Sequence, residues 1–142
     1  MGRAGRVEGK VVLVTGGTRG VGASHAQALV AEGARVLISD VLDEDGYAVA
    51  EKLGESAHFV HLDVADPDQW DQAVDAAVSR FGRLDALVNN AGIVKLGSLP
   101  GSSLSDWQRV VDVNLTGAVR PLTGRAGQCV DWRSRAGCPA WG

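Results

Sequence analysis

Tyrosine occurs once in this sequence, at Tyr47, and cysteine only twice, at Cys129 and Cys138 near the end. Two late cysteines cannot staple a small secreted scaffold, and their spacing matches neither a zinc pair nor a redox motif, so both are expected to be reduced thiols. Charged or polar residues interrupt every hydrophobic stretch well short of the ~18 residues a membrane helix requires. The first ten residues are rich in Gly and Arg, lack the apolar core of a secretory signal, and carry Arg6 where a myristoylation motif has Ser or Thr. A cytoplasmic protein without a membrane span is therefore expected. The formal net charge is −3, both signs are interspersed, and no basic run exceeds a dipeptide, which argues against a nucleic-acid partner. His58 and His61 are three apart on one strand and point to opposite faces, so no metal site is expected from them.

What remains is a chain of 142 residues and 45% hydrophobic content, enough for one globular domain. Lys10 to Thr15 (KVVLVT) is a β-branched run ending in a glycine turn, as a buried parallel strand should be, and Ala23 to Glu32 comes next as a helix closed by Gly33. Arg35 to Asp40 makes a second strand, and Asp43 to Leu53 a helix ending at Gly54. Ala57 to Leu62 makes a third strand, and Asp66-Pro67 opens a helix to about Phe81 with Asp as N-cap and Pro in the first turn. Leu84 to Asn89 is the fourth strand. Ser105 then caps a helix to Arg120, in which Trp107, Val110, Val111 and Leu115 recur at helical spacing. Such alternation predicts an α/β fold with a parallel sheet. From about Pro121 the pattern loses both periods, and irregular or disordered structure is expected over 121–142, beyond a domain spanning 1–120.

The polar residues fall where such a sheet binds ligands. Thr15-Gly16-Gly17-Thr18-Arg19-Gly20-Val21-Gly22 joins a strand to a helix, where bare backbone can approach a pyrophosphate and the helix N-terminus offers free N–H donors. Asp40 ends the second strand eighteen residues after Gly22, where a carboxylate accepts both hydroxyls of an adenosine ribose and repels a 2′-phosphate, favouring NAD over NADP. Arg19 pulls the other way, because a guanidinium in that turn could hold a 2′-phosphate. Asp63-Val64 and Asn89-Asn90-Ala91-Gly92 end the third and fourth strands, so four polar strand ends converge on one crevice.

Together with Asn114 in DVNLTG, these motifs resemble the short-chain dehydrogenase/reductase family over roughly residues 7 to 120. The flow of GGTRGVGASHAQALVAEGARV, HLDV and WQRVVDVNLTG is most similar to bacterial NAD-dependent 3-alpha(20-beta)-hydroxysteroid dehydrogenases. The resemblance implies a Rossmann fold, here a partial doubly wound sheet of order 3-2-1-4, and hydride transfer between NAD(H) and a secondary alcohol or ketone, a small molecule such as a steroid. It implies that Gly16, Arg19, Gly20, Val21 and Gly22 surround the pyrophosphate, Asp40 the adenosine ribose, and Asp63 with Val64 the adenine edge. Asn90, Ala91 and Gly92 would line the adenosine side, and Asn114 would be the framework asparagine that holds a water in the catalytic proton relay.

The family's chemistry also needs a tyrosine as proton donor or acceptor, a lysine four residues later to lower its pKa, and an upstream serine. All three come after the asparagine in family order. Tyr47 precedes the third strand and has Glu51 four places on, no lysine comes after Lys95, and Ser134 stands alone in the irregular tail. The expectation is a truncated cofactor half, inactive on its own, whose fourth strand forms an unprotected edge. Two rivals remain: a noncatalytic NAD-binding module or partner of a full-length homologue, and an NADP-dependent 3-oxoacyl reductase. In the resembling family the helix matching Ser105–Arg120 packs in a subunit interface, which offers a route to a homo-oligomer, although ordinary core packing is the preferred reading of its apolar residues.

Overall fold

The computed structural model describes residues 4–124. Four parallel strands, β1 (Val11–Thr15), β2 (Arg35–Asp40), β3 (Ala57–His61) and β4 (Ala86–Val88), form one sheet in the order β3-β2-β1-β4. The helices α1 (Gly20–Ala31), α2 (Asp43–Leu53) and α3 (Pro67–Phe81) alternate with them. This is the α/β topology expected from the sequence.

Both faces of the central strands are buried, which is why β1 and β2 read as continuous apolar runs rather than alternating ones. Val12, Val14, Val36 and Ile38 pack with Ala26 and Phe59 on one side. Val11, Leu13 and Leu37 pack on the other, with Trp70, Ala73, Val74 and Ala77 of α3. Asp66 caps α3 through Oδ1, which accepts from the N–H groups of Asp68 and Gln69, and Pro67 occupies the first turn. The helix closes at Gly82 in the left-handed region with φ +85°. β4 is shorter than expected because only Ala86 to Val88 pair with β1.

The last helical region departs from expectation in three ways. Its cap is Ser103, not Ser105: Ser103 has extended backbone and its Oγ accepts from the Asp106 N–H at 3.1 Å, so α4 runs over Leu104–Val111. A π-helical turn over Asp112–Thr116 then interrupts the helix before α5 (Gly117–Thr123). Each such turn inserts one residue and rotates the downstream helix by about 100°. The stripe that faces the core is Val113, Gly117 and Pro121, while Trp107 (59% exposed) and Leu115 (62%) face outward and Val110 and Val111 are half-buried. Ordinary core packing of the Trp107 to Leu115 stripe is thus not what the chain does. Finally, Pro121, Leu122 and Thr123 continue α5 where irregular chain was expected, with the Pro121 ring fully buried. The rest of the expected tail, including Cys129, Ser134 and Cys138, lies outside the described residues.

Candidate functional site

The carboxyl ends of all four strands open onto one crevice of about 390 Å³. The turn after β1 contributes Gly16, Thr18, Arg19, Val21 and Gly22. β2 contributes Asp40, the end of β3 Leu62, Asp63 and Val64, and the segment after β4 Asn90, Ala91, Gly92 and Ile93. Ten of the residues singled out from sequence thus share one cavity. Gly20 and Asn114 do not line it.

Thr15 builds this edge of the sheet. It is 1% exposed at the end of β1, and its Oγ1 donates to the Val88 carbonyl and accepts the N–H groups of Asn90 and Ala91, both at 3.0 Å. Asn90 completes the clamp from the other side, its Nδ2 donating to the carbonyls of Thr15 and Gly16 at 3.0 Å each. The glycine turn is therefore stitched to the end of β4. Side chains are excluded sterically: Gly16 has φ +61° and a Cβ there would lie 2.9 Å from Ala91 Cα, and a Cβ on Gly22 would lie 2.0 Å from the Gly16 carbonyl oxygen. Gly20, with φ +52°, begins α1 in open space. No side chain caps α1, and its first turn carries no acidic residue, so its N-terminal donors stay available to an anion.

Asp40 is held at the opposite wall. Its Oδ2 accepts from Thr18 Oγ1 at 2.6 Å and its Oδ1 from the Val41 N–H at 2.8 Å. Arg19 lines the crevice with its guanidinium paired to Asp45 of α2. At the end of β3, Asp63 Oδ1 accepts from the Ala65 N–H and Oδ2 from Arg109 Nη2 at 3.0 Å. Partial burial pushes the Asp63 carboxyl upward, but the Ala65 N–H, the Arg109 guanidinium and the nearby His61 outweigh it and hold it below the usual carboxylate range. His61 itself contacts Asp43 through Nδ1 at 2.6 Å, so it turns to α2 and not toward His58.

Asn114, in the π turn, meets backbone only. Its Oδ1 accepts from the Ile93 N–H at 2.7 Å and its Nδ2 donates to the Ile93 carbonyl at 2.8 Å. Tyr47 is 64% exposed on α2, edge-on to Phe59, and does not line the crevice.

Thr15, Thr18 and Arg109 are the site residues that sequence reasoning missed. The first two stood in the glycine turn as spacers, and the hydroxyls' partners lie 22 or more residues away. Arg109 lies 46 residues from Asp63, and nothing in its local sequence points to that partner.

Residues 10–131 match the family model described as short chain dehydrogenase. Over 114 residues the chain is 58% identical to the 3-alpha-(or 20-beta)-hydroxysteroid dehydrogenase of Mycobacterium tuberculosis, covering 80% of this chain and 44% of that protein. It is 45% identical to the trans-4-hydroxycyclohexanecarboxylate dehydrogenase of Sinomonas cyclohexanicum, covering 93% of this chain and 57% of the relative. Among solved structures, a 3-ketoacyl-(acyl-carrier-protein) reductase from Brucella melitensis complexed with NADH is similar with a TM-score of 0.77 at 37% identity, covering 82% of this chain and 50% of that one. The chain spans about half the length of the relatives it matches. The matched region reaches residue 131, past the last motif of the sequence resemblance near residue 120.

Proposed function

Because the chain belongs to the short-chain dehydrogenase family, we propose that its crevice binds NAD(H) and that these residues are the cofactor half of an oxidoreductase acting on a secondary alcohol or ketone, with a bulky, steroid-like compound as the substrate class. The single observation behind this reading is the convergence of four strand ends on one crevice, with a glycine-rich turn and an uncapped helix N-terminus at one end and two carboxylates at the other. The donor set fits the cofactor. Gly16, Gly20 and Gly22 leave room for a pyrophosphate against the free N–H groups of α1, with Arg19 and Val21 beside it. Asp40, pre-set by Thr18 and Val41, presents a carboxylate to the ribose hydroxyls, and Asp63 with Val64 borders the adenine. Asn90, Ala91 and Gly92 wall the adenosine side, and Asn90 also locks the turn. Bound NAD(H) would supply the hydride chemistry; the residues described here bind and orient it.

NAD is favoured over NADP because Asp40 repels a 2′-phosphate while Arg19, the group that could attract one, is engaged by Asp45. This counts against the NADP-dependent form of the 3-oxoacyl reductase alternative. Turnover is not expected from these 142 residues alone, since Tyr47 does not line the crevice and Lys95, the last lysine, pairs with Asp106. A noncatalytic NAD-binding role for the chain by itself is the second reading, favoured by that same residue content. The outward apolar face of Trp107, Leu115 and Leu122 gives either version a surface for a second copy.

Calorimetric titration with NAD and NADP, on the wild type and Asp40→Ala, tests the proposal, with folding checked by circular dichroism. Saturable binding that prefers NAD, and that weakens in the variant with loss of the preference, is the expected result. A folded chain that binds neither nucleotide would sink the proposal.

A further inference from the structure

We propose that Arg109 is a positioning residue of this crevice: by holding the Asp63 carboxylate it aims an acceptor at the exocyclic amine of a purine, so that α4 carries part of the selectivity for adenine. The inference rests on the reading of the crevice as a dinucleotide site. Asp63 is attached to its own loop on every side but one. Its N–H donates to Gln69 Oε1 at 2.7 Å, its Oδ1 is taken by the Ala65 N–H, and the neighbouring Val64 carbonyl accepts from Trp70 Nε1 at 2.9 Å. Arg109 supplies the remaining contact, from a different element, and itself lines the crevice. The carboxylate is 26% exposed and the guanidinium 52%, so the pair sits at the wall, neither sealed nor free in solvent.

A carboxylate oxygen has more than one acceptor direction. With one direction on each oxygen filled by Ala65 and Arg109, the rotamer is fixed and a further lone pair is left for a ligand donor. Adenine offers such a donor; hypoxanthine has a carbonyl in its place and would meet the carboxylate acceptor to acceptor. Arg109 also helps hold the Asp63 carboxyl below the usual carboxylate range. The charged groups around Asp63 are Arg109 on α4, His61 on β3 with Asp43 of α2 beyond it, Asp66 at the start of α3, and Asp40 across the crevice. Removing the guanidinium takes away the side-chain hydrogen bond and the charge that hold the Asp63 carboxyl down, and its pKa rises.

The test compares NAD with its hypoxanthine analogue, nicotinamide hypoxanthine dinucleotide, by titration of the wild type, Arg109→Ala, Arg109→Gln and Arg109→Lys, each checked for folding. The wild type should prefer NAD by about tenfold, the size of one good hydrogen bond to a charged group. In Arg109→Ala and Arg109→Gln that ratio should contract about fivefold, as expected for a half-exposed pair, and Arg109→Lys should recover part of it. The acid limb of NAD binding should also move to higher pH in the uncharged variants, because an ionised Asp63 is needed and its affinity is lost as pH falls through a now higher pKa. A role in helix docking alone would weaken both dinucleotides equally at every pH, and that result overturns the proposal. So does a wild type that binds NAD and its analogue equally well. A folded wild type that binds neither removes the dinucleotide reading itself, and the proposal with it.

Discussion

Replacing Thr15 with valine separates hydrogen bonding from packing at the point where the crevice is assembled. Valine matches threonine in volume, branching and strand preference, so β1 keeps its pleat and its neighbours. What disappears is one oxygen that donates to the Val88 carbonyl and accepts two N–H groups, from Asn90 and Ala91. A buried donor left without a partner costs about 1–3 kcal/mol, and these two amides are only part-buried, so the substitution should destabilise the fold by about 2–4 kcal/mol. With a urea slope of about 1–3 kcal/mol/M, the unfolding midpoint should fall by roughly 1–2 M.

Thr15→Ser sharpens the test. It keeps the hydroxyl and deletes a methyl group, which costs about 1 kcal/mol in a buried position. If the hydroxyl is what matters, serine is the milder change although it is the smaller residue; if packing matters, valine is milder. Urea unfolding by circular dichroism gives the order, and hydrogen exchange at Asn90 and Ala91 shows whether the loss is local. A Thr15→Val penalty below about 0.5 kcal/mol, or serine the worse of the two, refutes the assignment.

Two other perturbations have defined outcomes. Gly46→Ala places a Cβ 2.1 Å from Phe59 Cε2, on a ring buried beneath Tyr47, and should lower stability by about 1–3 kcal/mol in thermal or urea unfolding. Burial, and secondarily the charge of Arg80, lower the pKa of His58 from its ordinary 6.5; the folded protein resists its protonation, so stability should decline as pH drops below about 6.5 toward the depressed value, and His58→Gln should flatten that part of the profile measured by urea titration.

The strands and the first three helices were legible because each announces itself locally. β1 and β2 are unbroken apolar runs, and Asp66-Pro67 states its cap in two adjacent residues. The crevice was legible at Asp40, Asp63-Val64 and Asn90 to Gly92 because parallel topology puts every strand end on one edge, whatever the side-chain geometry. Partnerships across the chain left no such trace: a hydroxyl or guanidinium looks the same in sequence whether it faces solvent or a carboxylate 46 residues away, as Arg109 does. The last helix misled for a related reason. Ser103 and Ser105 both sit ahead of an apolar run, and only backbone geometry selects the first. Helical periodicity placed Trp107 and Leu115 inward, whereas Val113 and Gly117 are the buried positions; the π turn changes the phase only beyond Asp112, so Trp107 faces outward on α4 itself.

That π turn gives Asn114 a structural task that can be read directly. The segment after β4 leaves the sheet at Asn89, and Ile93 has no strand partner to satisfy its backbone; the Asn114 amide supplies both halves of the missing pair, accepting from the N–H and donating to the carbonyl as a neighbouring strand would. An uninterrupted helix would rotate residue 114 by about 100° relative to its present direction. The inserted residue is therefore what aims Asn114 at Ile93, and through Ile93 it fixes the wall that Ala91 and Gly92 begin. The same helix reaches the far end of the crevice through Arg109 and Asp63. α4 and its π turn thus grip the crevice at two points, one beside Asp63 and one beside Ile93, and a disturbance of the outward face around Trp107 and Leu115 should be felt in cofactor affinity before it is felt in the stability of the sheet.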